Sequence, residues 1–296
     1  MPKSNESNDA VQSKPANVDV RLFLQKTLHP LLAFKEPNIP ESILIIEYRA
    51  TVVPLDFDTG APRNGAPALL GLMDREALRR ALDELKPWIA QDKYDYEAGD
   101  GTSPSRCYHN GYFLANIVAA YLQNNQDPRS HDTLQDRTCW QWGGGEGTDR
   151  YLHNYHDDYT WTPGSFFLNL LPSKPRETLP DPRKPHVIHH VIDSTPWKSG
   201  TLRTSEFKSI VFIAAANKLK AAYKDLDYFG VTVVSFFNWE VRIVQGLVNF
   251  KTRGVDIRVS PAQSFRDGFR NQDGSIDPRF LTLLAYNLGE VLPLAK

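Results

Sequence analysis

The last third of the chain constrains the fold most. One long apolar helical segment is followed by three β-branched runs joined by very short turns. Ser205 to Tyr223 reads as a helix, with Ile210, Ile213, Ala214, Ala216 and Leu219 making a broad apolar surface. A helix apolar on most sides is usually buried. Gly230 to Phe237, Glu240 to Phe250 and Val255 to Val259 read as strands, the second with Val241, Ile243 and Leu247 in alternation. Asn238-Trp239 and Thr252-Arg253-Gly254 are the turns between them, and connections this short imply antiparallel neighbours. Asp277-Pro278 marks a helix start, with Phe280, Leu281, Leu284, Leu288 and Val291 as its apolar stripe. The expected fold class is therefore α+β. It is a single compact domain whose antiparallel sheet, built on this α-β-β-β-α segment, is covered by helices on one face.

Upstream the signals are shorter. Residues 1–17 are polar and read as a disordered tail, leaving 18–296 as the α+β domain. Its core segment is 205–294, and residues 129–197 form an aromatic and histidine-rich region. Val20, Leu24, Leu28 and Leu31 recur at helical spacing, disturbed near Pro30. Ser42 to Val53 reads as one or two strands and residues 58–65 as a loop. Asp74 can cap a helix carrying Leu78, Leu82 and Leu85, Asp95 to Arg106 reads as loop, and Gly111 to Gln123 is a second helix. The Pro-rich stretch from Pro163 to Pro185 is expected to run as an extended surface connection.

Composition excludes several classes. At 296 residues, 41% hydrophobic and 11% aromatic, the chain is not a disordered one. A net charge of -1 gives no bias toward nucleic acid or an anionic membrane, so the expected partner is a protein or a small molecule. The N-terminus has no apolar segment of a secretory signal. The longest apolar run, Ile210 to Ala216, is far short of the roughly 20 residues that span a membrane. The expectation is a soluble cytoplasmic protein, with Cys107 and Cys139 as reduced thiols.

The chemistry-bearing feature is a histidine enrichment: five of the eight histidines lie between His153 and His190. The first group is His153-Asn154-Tyr155-His156-Asp157-Asp158. On a helix His153, His156 and Asp157 would converge, whereas on a strand His156 and Asp158 would share a face. The second group is His186-Val187-Ile188-His189-His190-Val191-Ile192-Asp193. As a helix it would line one face with His186, His189, His190 and Asp193, a donor set suited to a divalent metal such as zinc or iron. As a strand it would alternate, placing His186 and His190 on one face and His189 and Asp193 on the other. Residues four apart would then be about 13 Å from each other, too far to share one ion. The four β-branched residues favour the strand.

Two functional classes follow. In the first, the dense aromatic segment offers a ligand-binding pocket or contact surface, with Trp140, Trp142, Tyr155 and Trp161 as its binding residues. In the second, a metal-dependent hydrolase uses His153, His156, Asp157, His189 and Asp193 as catalytic groups, with His153, His156 and His189 as metal ligands. A weaker resemblance lies in Asp227 followed by Glu240-Val241-Arg242, a layout similar to the Asp…Glu-x-Lys of restriction-endonuclease-like nucleases. Arg stands there in place of Lys and cannot readily transfer a proton. The run Gly143-Gly144-Gly145 lacks the Lys-Ser/Thr end of a phosphate-binding loop and reads as a turn.

Overall fold

The computed structural model describes residues 16–86, 103–124, 132–142, 152, 154–155, 159–169 and 180–293. The chain begins with helices α1 (Ala16–Phe23) and α2 (His29–Ala33), joined by one π-helical turn at Leu24–Leu28. Pro30 has no N–H to donate to the carbonyl four residues back, and the turn before it widens. The tail expected over 1–17 lies outside the described residues except for Ala16 and Asn17, which open α1.

Strand β1 (Asn38–Pro40) is followed by helix α3 (Glu41–Tyr48) and strand β2 (Ala50–Pro54). The strand expected from Ser42 is thus a helix for its first half. Its apolar run is continuous and has no period of its own, so the burial of Leu44 and Tyr48 at i, i+4 spacing decides its form. Arg49, at φ 52°, ends the helix and starts β2. Strand β3 (Leu70–Gly71) leads to α4 (Arg75–Leu85), where the Asp74 carboxylate accepts from the backbone N–H groups of Glu76 and Ala77. Helix α5 (Pro104–Gln123) starts seven residues before the expected Gly111, because Ser103 caps it and Pro104 suits a first-turn position.

Strands β4 (Trp140–Trp142), β5 (Asn154–Tyr155), β6 (Thr160–Asn169) and β7 (His186–Asp193) follow. Pro163 lies inside β6, not on a surface connection, and the register shifts between Pro163 and Phe166. An irregularity of this kind is where a sheet tolerates proline. The C-terminal third contains β8 (Thr201–Arg203), α6 (Thr204–Lys218), β9 (Tyr228–Phe237), β10 (Glu240–Asn249), β11 (Gly254–Val259), β12 (Gln263–Ser264), α7 (Pro278–Leu288) and β13 (Glu290–Val291). Asn238 takes the positive φ (51°) that a two-residue hairpin loop requires between β9 and β10.

The architecture is α+β, a single domain with a mixed sheet surrounded by helices. The main sheet runs β2-β11-β10-β9-β7-β6-β4. It is not purely antiparallel: β7 pairs β9 in parallel through the α6 crossover, and β2 pairs β11 in parallel. Nor is it covered on one face alone. Residues of α6 and the N-terminal helices pack with Val187, Val191, Val231 and Val244 on one side. Residues of α4, α5 and α7 pack with Ile188, Ile192, Val234 and Ile243 on the other. The parallel β7-α6-β9 unit needs its crossover on one face, and α4, α5 and α7 fill the second. Among the described residues no helix is long and apolar enough to cross a membrane, and Cys107 and Cys139 form no disulfide.

Candidate functional site

The second histidine group is strand β7, and all eight of its residues are buried. It is flanked by β6 and β9, with a helical layer on each face, so no position along it meets solvent. His186 and His190 face the α5/α7 layer with Ile188 and Ile192, while His189 and Asp193 face the α6 layer with Val187 and Val191. The helical alternative, with all four polar groups on one face, is not what the chain adopts.

Each histidine has its own surroundings. His186 Nε2 is 2.8 Å from Thr232 Oγ1, and its ring meets the edge of Trp140 at 6.1 Å. Burial, with the positive charge of Arg258, holds its pKa down to about 3. His190 Nε2 is 2.7 Å from Asn287 Oδ1, whose own Nδ2 donates to the Leu283 carbonyl. Asn287 Oδ1 must therefore accept, so His190 is the neutral tautomer with its proton on Nε2. The rings of Phe167 and Phe236 enclose it, and burial lowers its pKa to about 4. His189 packs on Phe166, and neither ring nitrogen makes a well-formed hydrogen bond. Burial and the neighbouring His190 bring its pKa to about 3.

Asp193 sits at the other end of the strand. It accepts from the Thr195 backbone N–H at 2.7 Å and from the Ser205 hydroxyl. Burial raises its pKa, opposed chiefly by Arg203. Around it lies a buried ion network at the amino end of α6. Glu206 is held by Arg242 through Nε and Nη2, and also accepts from the Arg203 backbone N–H. The Arg203 guanidinium packs in a corner formed by Trp197 (4.4 Å) and Phe237 (4.9 Å). Asp193, Glu206 and the half-buried Glu240 offset the charge of Arg203, and Glu206 pairs with Arg242, so the network carries its own countercharges. Sequence reasoning missed Arg203, Glu206 and Ser205. The legible signal was Arg242, a charge set between Val241 and Ile243 on an apolar strand; Glu206, set among Ser205, Lys208 and Ser209, carried none.

The residues proposed from sequence do not assemble into one centre. Among the described residues no group of three or more His, Cys, Asp or Glu could hold a metal ion. His189 and Asp193 share a face but stand four residues apart along a strand, about 13 Å. His153, His156 and Asp157 lie outside the described residues. The aromatic surface is divided too. Trp140 packs on the α5/α7 face, donating Nε1–H to the Gly289 carbonyl at 2.7 Å, while Trp161 packs on the α6 face. Trp142 is exposed, and Tyr155 is described only as backbone of β5. The nuclease-like layout also comes apart. Glu240 pairs with Phe237 at one end of the β9-β10 hairpin and Asn249 with Tyr228 at the other, so Asp227 lies a strand length away.

What β7 does border is a cavity of about 350 Å³ at its amino end, on the α5/α7 face. Its walls are mainly Leu69, Pro185, Leu226, Leu247, Val291 and Leu292, with Asp227 and Arg183 also lining it and His186 its buried polar group. The His186 ring lies against Gly230, its register partner on β9, with Nδ1 nearest; a Cβ at that position would run into the ring. No family model matches the chain, and no curated protein or solved structure matches it either.

Proposed function

We propose that this protein binds a small, largely apolar molecule in the cavity beside His186. The observation that carries the reading is the cavity itself. Its volume of about 350 Å³ is within the size of small-molecule sites, and its lining is mostly aliphatic. His186 supplies the polar contact, held in place by Thr232. Burial keeps that imidazole uncharged at neutral pH, so apolar groups can pack on it without desolvating a cation.

The test uses N-phenyl-1-naphthylamine, a neutral apolar fluorophore. Wild-type protein is expected to bind it saturably at one site and to show a raised Tm, since a ligand of the native state stabilises by mass action. Leu247→Trp, which places an indole in the cavity, should abolish that binding with the fold intact by circular dichroism. Absence of saturable binding, or equal binding by the variant, removes the proposal.

The metal-dependent hydrolase reading draws no support from β7, whose histidines point to opposite faces. Elemental analysis of gently purified protein tests it separately: near-stoichiometric zinc or iron would revive it.

A further inference from the structure

We infer that the molecule taken by this cavity is a neutral apolar carbonyl compound, whose oxygen accepts a hydrogen bond from His186 Nδ1–H; the inference rests on the cavity being a binding site. On the face that carries the cavity, one row of residues across the strands is His186, Gly230 and Leu247, and all three line the cavity. The row beyond it is Ile188, Thr232, Gln245 and Arg258. From that second row the Thr232 hydroxyl, 0% exposed, meets His186 Nε2 at 2.8 Å.

That bond fixes where the imidazole proton sits. Among the described residues the Thr232 hydroxyl has no other hydrogen-bond partner, since the amide of Gln245 beside it makes no bond at all. If the ring donated from Nε2, the hydroxyl proton would be stranded in the interior without an acceptor. The Thr232 hydroxyl therefore donates to Nε2. A neutral imidazole carries one proton, and here it is held on Nδ1. Among the described residues Nδ1 has no partner, and unlike both nitrogens of His189 it is not sealed off from open space. The missing Cβ of Gly230 leaves room around it, and both residues line the cavity. His186 Nδ1–H is thus an unused donor on the inner wall of an aliphatic pocket.

A carbonyl oxygen suits this donor, whereas a charged group does not suit the pocket. The ring is uncharged, so a carboxylate would leave water without gaining a counterion. The charged lining residues, Arg183 and Asp227, lie at the exposed rim, each with an opposite charge of its own. Arg183 is bonded to the Asp181 carboxylate, and the Lys218 ammonium lies near Asp227. A neutral acceptor on an apolar body satisfies His186 and covers the aliphatic walls together.

The ketone 2-acetylnaphthalene, its alkene isostere 2-isopropenylnaphthalene and the cation 2-naphthylmethylamine, competing against N-phenyl-1-naphthylamine at pH 7.5, separate the possibilities. Wild-type protein should bind the ketone about fivefold more tightly than the more apolar alkene, the worth of one hydrogen bond, and the amine least. His186→Phe should remove the ketone preference while still binding the alkene. Long-range proton–nitrogen correlation spectra of the wild-type protein should show His186 protonated at Nδ1. Thr232→Val, which releases the proton from that nitrogen, should reduce the ketone preference. The spectra and this second variant serve if His186→Phe does not fold. Equal affinity for ketone and alkene, a preference for the amine, a preference for the ketone that survives His186→Phe, or a ring protonated at Nε2 overturns the carbonyl assignment and leaves the cavity reading standing. Failure of all three compounds and of the fluorophore overturns both.

Discussion

Arg242 clasps the Glu206 carboxylate through two guanidinium nitrogens, and Glu206, in the first turn of α6, is wholly buried. The pair links β10 to the first turn of that helix, and the same carboxylate accepts from the Arg203 backbone N–H. Losing either partner leaves a charge stranded inside the protein. Arg242→Met is therefore expected to cost about 3–5 kcal/mol. In urea denaturation, the double variant Arg242→Met/Glu206→Leu should lose less than the sum of the two single changes. Strict additivity would show that the pair is not coupled.

His189 has no well-formed hydrogen bond to lose, so His189→Leu is expected to be neutral or stabilising at pH 7, by up to about 2 kcal/mol. A loss of several kcal/mol would mean that the ring has a partner and a role.

The three β7 histidines have folded-state pKa values of about 3 to 4, below the unfolded value near 6.5. Between those limits the unfolded chain binds protons that the native state refuses. Their contribution is fully present above about pH 6.5 and is lost as pH falls toward about 3. Asp193, whose pKa is raised, acts with the opposite sign: the native state holds its proton longer, so it gives up stability as pH rises above the normal carboxylate range. Denaturation at a series of pH values should show a steep decline between pH 6 and 4. His189→Leu should flatten that slope by about 1.4 kcal/mol per pH unit, the equivalent of one proton. An unchanged slope contradicts the assignment of His189 as buried and neutral.

Gly230, having no Cβ, leaves the space that the His186 ring occupies. Gly230→Ala should push the ring into the cavity, destabilise the protein by about 1–3 kcal/mol, and weaken binding of the naphthylamine probe. Thermal denaturation with and without probe measures both effects. A variant with wild-type stability and binding would mean that the ring does not depend on this contact.

Trp140→Phe should cost about 2–4 kcal/mol, since it removes the Nε1–H bond to the Gly289 carbonyl at the end of α7 and also leaves a void where the larger indole was buried. Chemical denaturation reads this directly, and a loss below about 1 kcal/mol would show that neither the bond nor the packing matters.

The amino-acid sequence by itself determined the local elements. Alternation and short turns are enough to specify the β9-β10-β11 meander, and capping residues such as Asp74 and Asp277 mark where helices begin. The β-branched residues of 186–193 favour a strand. These signals lie within a few residues of the elements they specify, so they can be read without knowing the neighbours. Ile43-Leu44-Ile45-Ile46 has no such signal, because a continuous apolar run suits helix and strand alike, and the burial of Leu44 and Tyr48 settles it as helix. Only the tertiary structure decided which faces meet. Period-2 alternation separates His186 and His190 from His189 and Asp193, but it cannot say that both faces are covered. Nor can it place Arg258 beside Gln245 in the row next to a cavity. Those adjacencies come from parallel pairing through α6 and from strand register over long sequence separations. They are set by how whole faces bury against one another and not by the residues nearby in the chain.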